Sequence, residues 1–384
     1  MSLKIGSPIE VGISSEKLNH MDSIINNWVN TGLAPSVVAV AIKDGVLVHH
    51  KTYGNSGPEE NVQELKEDTL FPVSSVSKVI TTACVMMLVE DGLVDLFHPV
   101  EKYIPEFIGE GKNEVLIFHL LTHSSGLRSE DIGKHIEIKK GKVSIPEAES
   151  TENPMIHEML HLGFDAKLWK KPGEEMSYCG FGFEIASEII RRVSGMNISD
   201  FAKKRIFEPM EMRDTYYIVP DSVKPRIIRR SSELPGSEWL ISDELLKTPF
   251  ADGGVFSTAL DIAKFAQLFI NNGKWGNKRI LSSSSVKMMI TNQIPGLSSR
   301  WGDQVFPDAA WGCGWCIRED KKDNGGCLRS SKAFDHSGFG GVYVWGDPEY
   351  DLVGALFTVM TYDSKGNELW CKDLYVNMLT SAID

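Results

Sequence analysis

Apolar positions recur along this chain with two periods, one helical and one of strand type. Leu18, Met21, Ile24, Ile25, Trp28 and Val29 fall on one helical face behind a Ser14 cap, which predicts an amphipathic helix. Val37 to Ile42 reads as a strand, Asp44-Gly45 as a tight turn and Val46 to His50 as the returning strand. A second helix is predicted from Ser75 to about Glu90. Val79, Ile80, Ala83, Cys84, Met87 and Leu88 mark its buried face, and Gly92 lies just past its end. The middle third is mostly helical, around 115–123, 155–162, 181–194, 198–206 and 259–271. Two stretches, 128–153 and 219–250, read as long loops that shape a site or form surface. Beyond about residue 305, strand patterns return at Gly314 to Arg318, Gly341 to Trp345 and Leu352 to Met360, with Asp347-Pro348-Glu349 turning between the last two. A helix near 366–381 closes the chain.

Sheet material at both ends with helices between predicts an α/β plus all-α fold. The expected division is an α/β domain built from residues 1–72 and 250–384, with residues 73–249 inserted as a helical domain and the site in the cleft between them. A length of 384 residues agrees, since it exceeds what one ordinary core organises. No internal repeat is evident.

Composition narrows the partners. Apolar residues at 42% and charged residues at 24% are those of a globular chain. Forty basic against 52 acidic side chains give a net charge of −12, which argues against a nucleic-acid partner. No apolar run approaches the roughly 18 residues needed to cross a bilayer, so no membrane partner is expected. Met1 to Ile13 has no apolar core of a signal peptide, and six scattered cysteines read as reduced thiols. A cytoplasmic location is therefore expected, with an exported form possible if a leader has been removed.

The candidate chemistry begins at Ser75-Val76-Ser77-Lys78, a Ser-x-x-Lys at the start of a helix. Residues three apart share a face, so hydroxyl and amine can meet. The positive end of the helix dipole and burial both disfavour a cation, so Lys78 is expected to have a lowered pKa and to serve as a base. Free N–H groups of the first turn can receive an oxyanion. Taken alone, the motif also describes an N-cap serine followed by a surface lysine.

Its neighbours add weight. Val89 to Leu96, Pro99 to Glu106, and His119-Leu-Leu-Thr-His123-Ser-Ser-Gly-Leu127 follow in order. Then come Pro172-Gly-Glu-Glu-Met-Ser-Tyr178-Cys-Gly180, Gly253-Gly-Val-Phe-Ser-Thr-Ala-Leu-Asp261 and His336-Ser337-Gly338. Over roughly residues 15 to 380 this series resembles the serine β-lactamase and penicillin-binding-protein superfamily, closest to its branch of class C β-lactamases, DD-peptidases and carboxylesterases. The resemblance implies a β-lactamase/transpeptidase-like fold, an antiparallel sheet flanked by helices with a helical insertion. It implies Ser75 as an acylated nucleophile, with Lys78 and Tyr178 sharing acid/base work. His336 would line the site and help hold Tyr178 or a substrate carboxylate. The N–H groups of Ser75 and Phe339 would form an oxyanion hole, with Ser337, Gly338 and Gly180 lining the substrate site. His119 and His123 would hold a loop.

Two departures bear on the substrate. Gly180 stands where the family has an asparagine, and His336 where it often has a lysine. The amide that contacts a substrate amide is absent, and so is a fixed cation for a carboxylate near neutral pH. Both changes favour small esters or unusual amides. β-Lactamase, D-Ala-D-Ala carboxypeptidase or D-amino-acid amidase activity is the alternative within the family. No cofactor is expected.

Two other signals compete. His157-Glu158-Met159-Leu160-His161 matches the His-Glu-x-x-His of zinc proteases, with Glu184 as a conceivable third ligand. Cys313 and Cys316 form Cys-x-x-Cys, with Cys327 and His336 downstream. In a strand, residues i and i+3 point to opposite faces, which is poor geometry for one zinc ion. A non-catalytic ligand-binding relative is the third alternative.

Overall fold

A computed structural model describes residues 3–57, 62–301, 304–369 and 371–384. The strands of its main sheet are β1 (Lys4–Ile5), β2 (Ser36–Lys43), β3 (Val46–Gly54), β4 (Cys316–Ile317), β5 (Phe334–Gly338), β6 (Val342–Asp347) and β7 (Leu352–Thr358). They form one sheet in the order β1-β3-β2-β7-β6-β5-β4. Every pair is antiparallel except β1 with β3. The hairpin predicted at Asp44-Gly45 is present. Both residues have positive φ, 52° and 72°, as a turn matching strand twist requires. The chain leaves the sheet after β3 and returns for its other half. The central pairing joins β2 to β7, from Lys43 opposite Leu352 to Val37 opposite Thr358.

The helices of ten or more residues among the described residues are α1 (Ser15–Asn30), α2 (Ser77–Glu90), α3 (Ser129–Lys139), α4 (Pro154–Gly163), α5 (Phe181–Ser194), α6 (Ala259–Ile270) and α7 (Lys372–Ser381). Side chains alternate across each strand, and the two faces of β6 show where they go. Tyr343 and Trp345 pack with Leu18, Met21 and Trp28 of α1 and Tyr375 and Leu379 of α7. Val342 and Val344 join the larger core that holds α6 and extends through α2 and α5. Both sheet faces are therefore covered, which explains the unbroken apolar run of β2.

Helix α2 departs from its predicted one-sided pattern, because it is buried from Ser77 to Leu88. Its polar side chains are satisfied internally. Thr81 Oγ1 donates to the Ala251 carbonyl at 2.7 Å, and Ser77 Oγ accepts the Val255 N–H at 3.0 Å. The helix also begins at Ser77 rather than Ser75, after a tighter turn over Ser74–Val76. The expected loop 128–153 contains α3, whose sparse apolar pair Ile132 and Ile136 sits among charged residues. The expected loop 219–250 contains the short helices Ser237–Leu240 and Asp243–Lys247. The strand expected over Gly314 to Arg318 shortens to Cys316–Ile317. The closing helix starts at Lys372, and Trp370, within its predicted span, lies outside the described residues.

Candidate active site

The turn Ser74–Val76 carries Ser75 into a cleft of about 630 Å³. Ser74 has φ +46°, a left-handed conformation unusual for a residue with a side chain. Its hydroxyl donates to the Phe339 carbonyl at 3.0 Å, tying the turn to the end of β5. Gly338 permits that approach, since a Cβ there would lie 2.2 Å from the Val73 carbonyl oxygen. The Ser75 turn and the Gly338-Phe339 backbone are thus in direct contact.

Lys78, the second residue of α2 and three beyond Ser75, is 2% exposed. Its Nζ donates to Ser75 Oγ at 3.2 Å and to the Asp252 carbonyl at 2.7 Å, and it also bonds the Tyr178 hydroxyl. Burial pulls the Lys78 pKa down. Tyr178 first, then Asp252, outweigh burial and hold it above its ordinary value. This corrects the expected direction, because the anionic surroundings are invisible from Ser-x-x-Lys alone. Lys78 is held as an ammonium, and the hydroxyl and the phenol share it.

Tyr178 follows the short strand Met176–Ser177 and is clamped from behind by His123. Their rings stack with centroids 4.2 Å apart, and His123 Nδ1 accepts the Cys179 N–H at 3.0 Å. Trp311 and His336 close the ring cage around Tyr178, with centroids at 6.1 and 6.4 Å. His336 Nδ1 donates to the Ser337 carbonyl at 2.9 Å. Burial, reinforced by the Lys78 charge, lowers the His336 pKa to about 3 and holds that of His123 well below the usual imidazole value. Both rings are neutral near pH 7, so His336 brings no cation to the cleft.

Ser337 is placed differently from the expectation. It pairs with Tyr343 across β5 and β6, so its side chain points to the α7 face, where Lys372 Nζ donates to its hydroxyl at 3.0 Å. Phe339, 43% exposed, lines the cleft instead.

Two carboxyl residues complete the site, and sequence reasoning gave neither this role. A Cβ on Gly180 would lie 2.0 Å from Asp252 Oδ2, so the Asp252 carboxylate fills the space a side chain at 180 would take. Asp252 Oδ2 is also 3.6 Å from Lys78 Nζ. Behind it, Glu184 Oε1 accepts the Asp252 N–H at 3.0 Å. Burial, then the neighbouring Asp252, raises the Glu184 pKa well above its ordinary value, which favours its protonated form. The available signals were the place of Asp252 directly before Gly253-Gly254 and of Glu184 one helical turn beyond Gly180. Ile132 and Ile136 of α3, Met159 and Leu162 of α4, Phe181 and Trp239 form the apolar walls.

The His-Glu-x-x-His segment lies on α4. His157 Nε2 bonds the Pro146 carbonyl at 2.9 Å, and Glu184 faces the Ser75 cleft. Among the described residues no group of three or more His, Cys, Asp or Glu side chains could hold a metal ion. Cys313 and Cys316 are free thiols, as are the other four cysteines, and Lys321 Nζ lies 3.1 Å from Cys316 Sγ.

The fold is β-lactamase/transpeptidase-like, with its cleft at one end of the sheet. Residues 22–373 match the beta-lactamase family model, and the chain belongs to that family of serine hydrolases. A relative from Salmonella agona (strain SL483), provisionally named a D-alanyl-D-alanine carboxypeptidase, is 25% identical over 385 residues. That match covers 90% of this chain and 83% of the relative. A penicillin-binding-protein homologue from Caulobacter crescentus superposes with a TM-score of 0.77 at 19% identity, covering 97% of this chain and 99% of that one. A family VIII carboxylesterase superposes with a TM-score of 0.73 at 19% identity, covering 97% and 98%. No helix among the described residues is long and apolar enough to cross a membrane.

Proposed function

We propose that the chain hydrolyses small esters through an acyl-enzyme on Ser75. The observation that carries this reading is the 3.2 Å contact between Ser75 Oγ and the buried Lys78 Nζ, which also bonds Tyr178. An ammonium has no lone pair, so Lys78 cannot take the serine proton. Tyr178, as the phenolate that the Lys78 ammonium stabilises, takes it as Oγ attacks the carbonyl carbon and becomes a neutral phenol. The carbonyl electron pair moves to oxygen, where the Ser75 and Phe339 N–H groups receive it. Tyr178 returns its proton to the departing alkoxide. A water molecule then repeats the sequence on the acyl-enzyme and releases the acid.

The charge of the cleft supports the ester preference. Neutral His336 offers no counter-ion to a substrate carboxylate, and Asp252 repels one. Both features disfavour carboxylate-bearing lactams and peptide termini. Six free thiols fit a reducing compartment such as the cytoplasm.

A fluorophosphonate probe followed by peptide mass spectrometry tests the nucleophile. The expected adduct is on Ser75 and is absent from Ser75→Ala. p-Nitrophenyl acetate and nitrocefin assayed side by side test the substrate class, and faster nitrocefin turnover would reverse the preference. Unlabelled protein with chelator-sensitive peptidase activity would favour zinc at His157 and His161 instead.

A further inference from the structure

We propose that the Asp252 carboxylate recognises an ammonium carried on the acyl part of the substrate, close to the scissile carbonyl. The inference rests on the Ser75 hydrolase reading and adds the chemical class of acyl group.

The position of the carboxylate is the first argument. Steps of 3.2 and 3.6 Å through Lys78 Nζ separate Ser75 Oγ from Asp252 Oδ2. An acyl chain with an amine on its first or second carbon spans that gap. The Asp252 side chain is 35% exposed, whereas the Lys78 side chain is 2% exposed. The anion therefore faces the cleft, and the cation that partly compensates it does not.

The second argument is how the site is built. Any residue but glycine at 180 would displace this carboxylate, as the 2.0 Å Cβ approach shows. Glu184 stands behind it, 2% exposed, with Oε2 accepting no hydrogen bond from the protein. A protonated Glu184 leaves the pair with one negative charge rather than two that repel each other. That charge lies beside a fixed ammonium already shared by Ser75, Tyr178 and the Asp252 carbonyl. Among the described residues, the other charged side chains lining the cleft are Glu158, Glu244 and Lys140, so acids remain in excess. Such a cleft favours a cationic acyl group and rejects an anionic one.

The test compares near-isosteric esters. Benzyl propionate carries no charge. The benzyl esters of alanine, as each enantiomer, and of 3-aminopropionate add one ammonium. The readout is the ratio of kcat/KM for the best amino ester to that for benzyl propionate, from release of benzyl alcohol. Wild type should favour an amino ester by about 10- to 100-fold, the range for a hydrogen bond between charged groups. Asp252→Asn should collapse that ratio toward unity. Gly180→Ala, which leaves the acid in the chain but pushes it aside, should do the same and covers the case in which Asp252→Asn fails to fold.

A purely structural role for Asp252 would slow all the esters alike and leave the ratio intact. A wild-type ratio near unity, or a high ratio that survives both substitutions, overturns the proposal while leaving the Ser75 reading standing. Absence of both fluorophosphonate labelling and ester turnover would remove the two together.

Discussion

Replacing Gly338 with alanine is a direct test of how the turn that carries the proposed nucleophile Ser75 and the sheet cooperate. The added carbon would lie 2.2 Å from the Val73 carbonyl oxygen, against the 3.5 Å or so of an ordinary contact, so a gap of roughly 1 Å must open. Val73 leads into the turn that carries Ser75, and Ser74 Oγ is bonded to the Phe339 carbonyl at 3.0 Å. A separation there moves the Phe339 N–H away from the Ser75 N–H. Loss of one oxyanion donor costs about 10²- to 10³-fold in kcat, and a 1 Å misplacement costs about 10²-fold. The folding cost is that of overpacking, about 1–3 kcal/mol. Because the defect acts on the transition state, kcat for p-nitrophenyl acetate should fall by about 100-fold while KM moves little. Fluorophosphonate labelling, which needs the same hole, should slow in parallel. The assay is steady-state kinetics together with thermal unfolding, to confirm a folded variant. A folded Gly338→Ala enzyme with kcat within about threefold of wild type would refute the assignment of Phe339 to the oxyanion hole.

Three further substitutions probe the charges. Tyr178→Phe should lower kcat by about 10²- to 10⁴-fold if the phenol carries the serine proton, and a pH–rate profile unchanged in height would refute that role. His336 titrates at about 3 when folded and near 6.5 when unfolded, so between those pH values the unfolded chain binds the extra proton and folding weakens as pH falls. Urea unfolding at pH 7 and pH 4.5 should show wild type losing roughly 2–3 kcal/mol more than His336→Gln across that interval. Glu184 has the opposite sign among acids, because its folded pKa is raised and its stability contribution is lost as pH rises above the ordinary glutamate value. Glu184→Gln should therefore be more stable than wild type at pH 8 and lose that advantage near pH 4, again by urea unfolding.

The elements legible in the sequence are those whose pattern reports burial directly. Helix α1 shows its apolar stripe because one face meets the sheet and the other meets solvent, and Asp44-Gly45 shows its turn because both residues tolerate positive φ. Helix α2 was legible as a helix but not as a central one. A segment buried all round carries no stripe, and the partners of Ser77 and Thr81 come from residues 251 and 255, far along the chain. Helix α3 was hidden because a pair of isoleucines facing a cleft makes a weaker signal than a stripe facing a core. The site was half visible. Ser75, Lys78 and Tyr178 stand in ordered motifs, whereas Asp252 matters only because the missing side chain of Gly180 leaves it room. Together with Tyr178, it reverses what burial alone would do to Lys78. Ser337 was misplaced because a motif does not state which way each strand residue faces.

The pairing of β2 with β7 has a consequence for a polypeptide emerging from a ribosome. Ser75, Lys78 and Tyr178 are all synthesised before the strand that ends at Gly338, and β2 waits some three hundred residues for its neighbour. A nascent chain thus holds an apolar half-sheet without its mate, the sort of exposed edge that chaperones guard. It also holds Ser75 before the Phe339 backbone proposed to receive the oxyanion has been made. Catalytic competence arrives late, when the carboxy-terminal third locks the sheet shut.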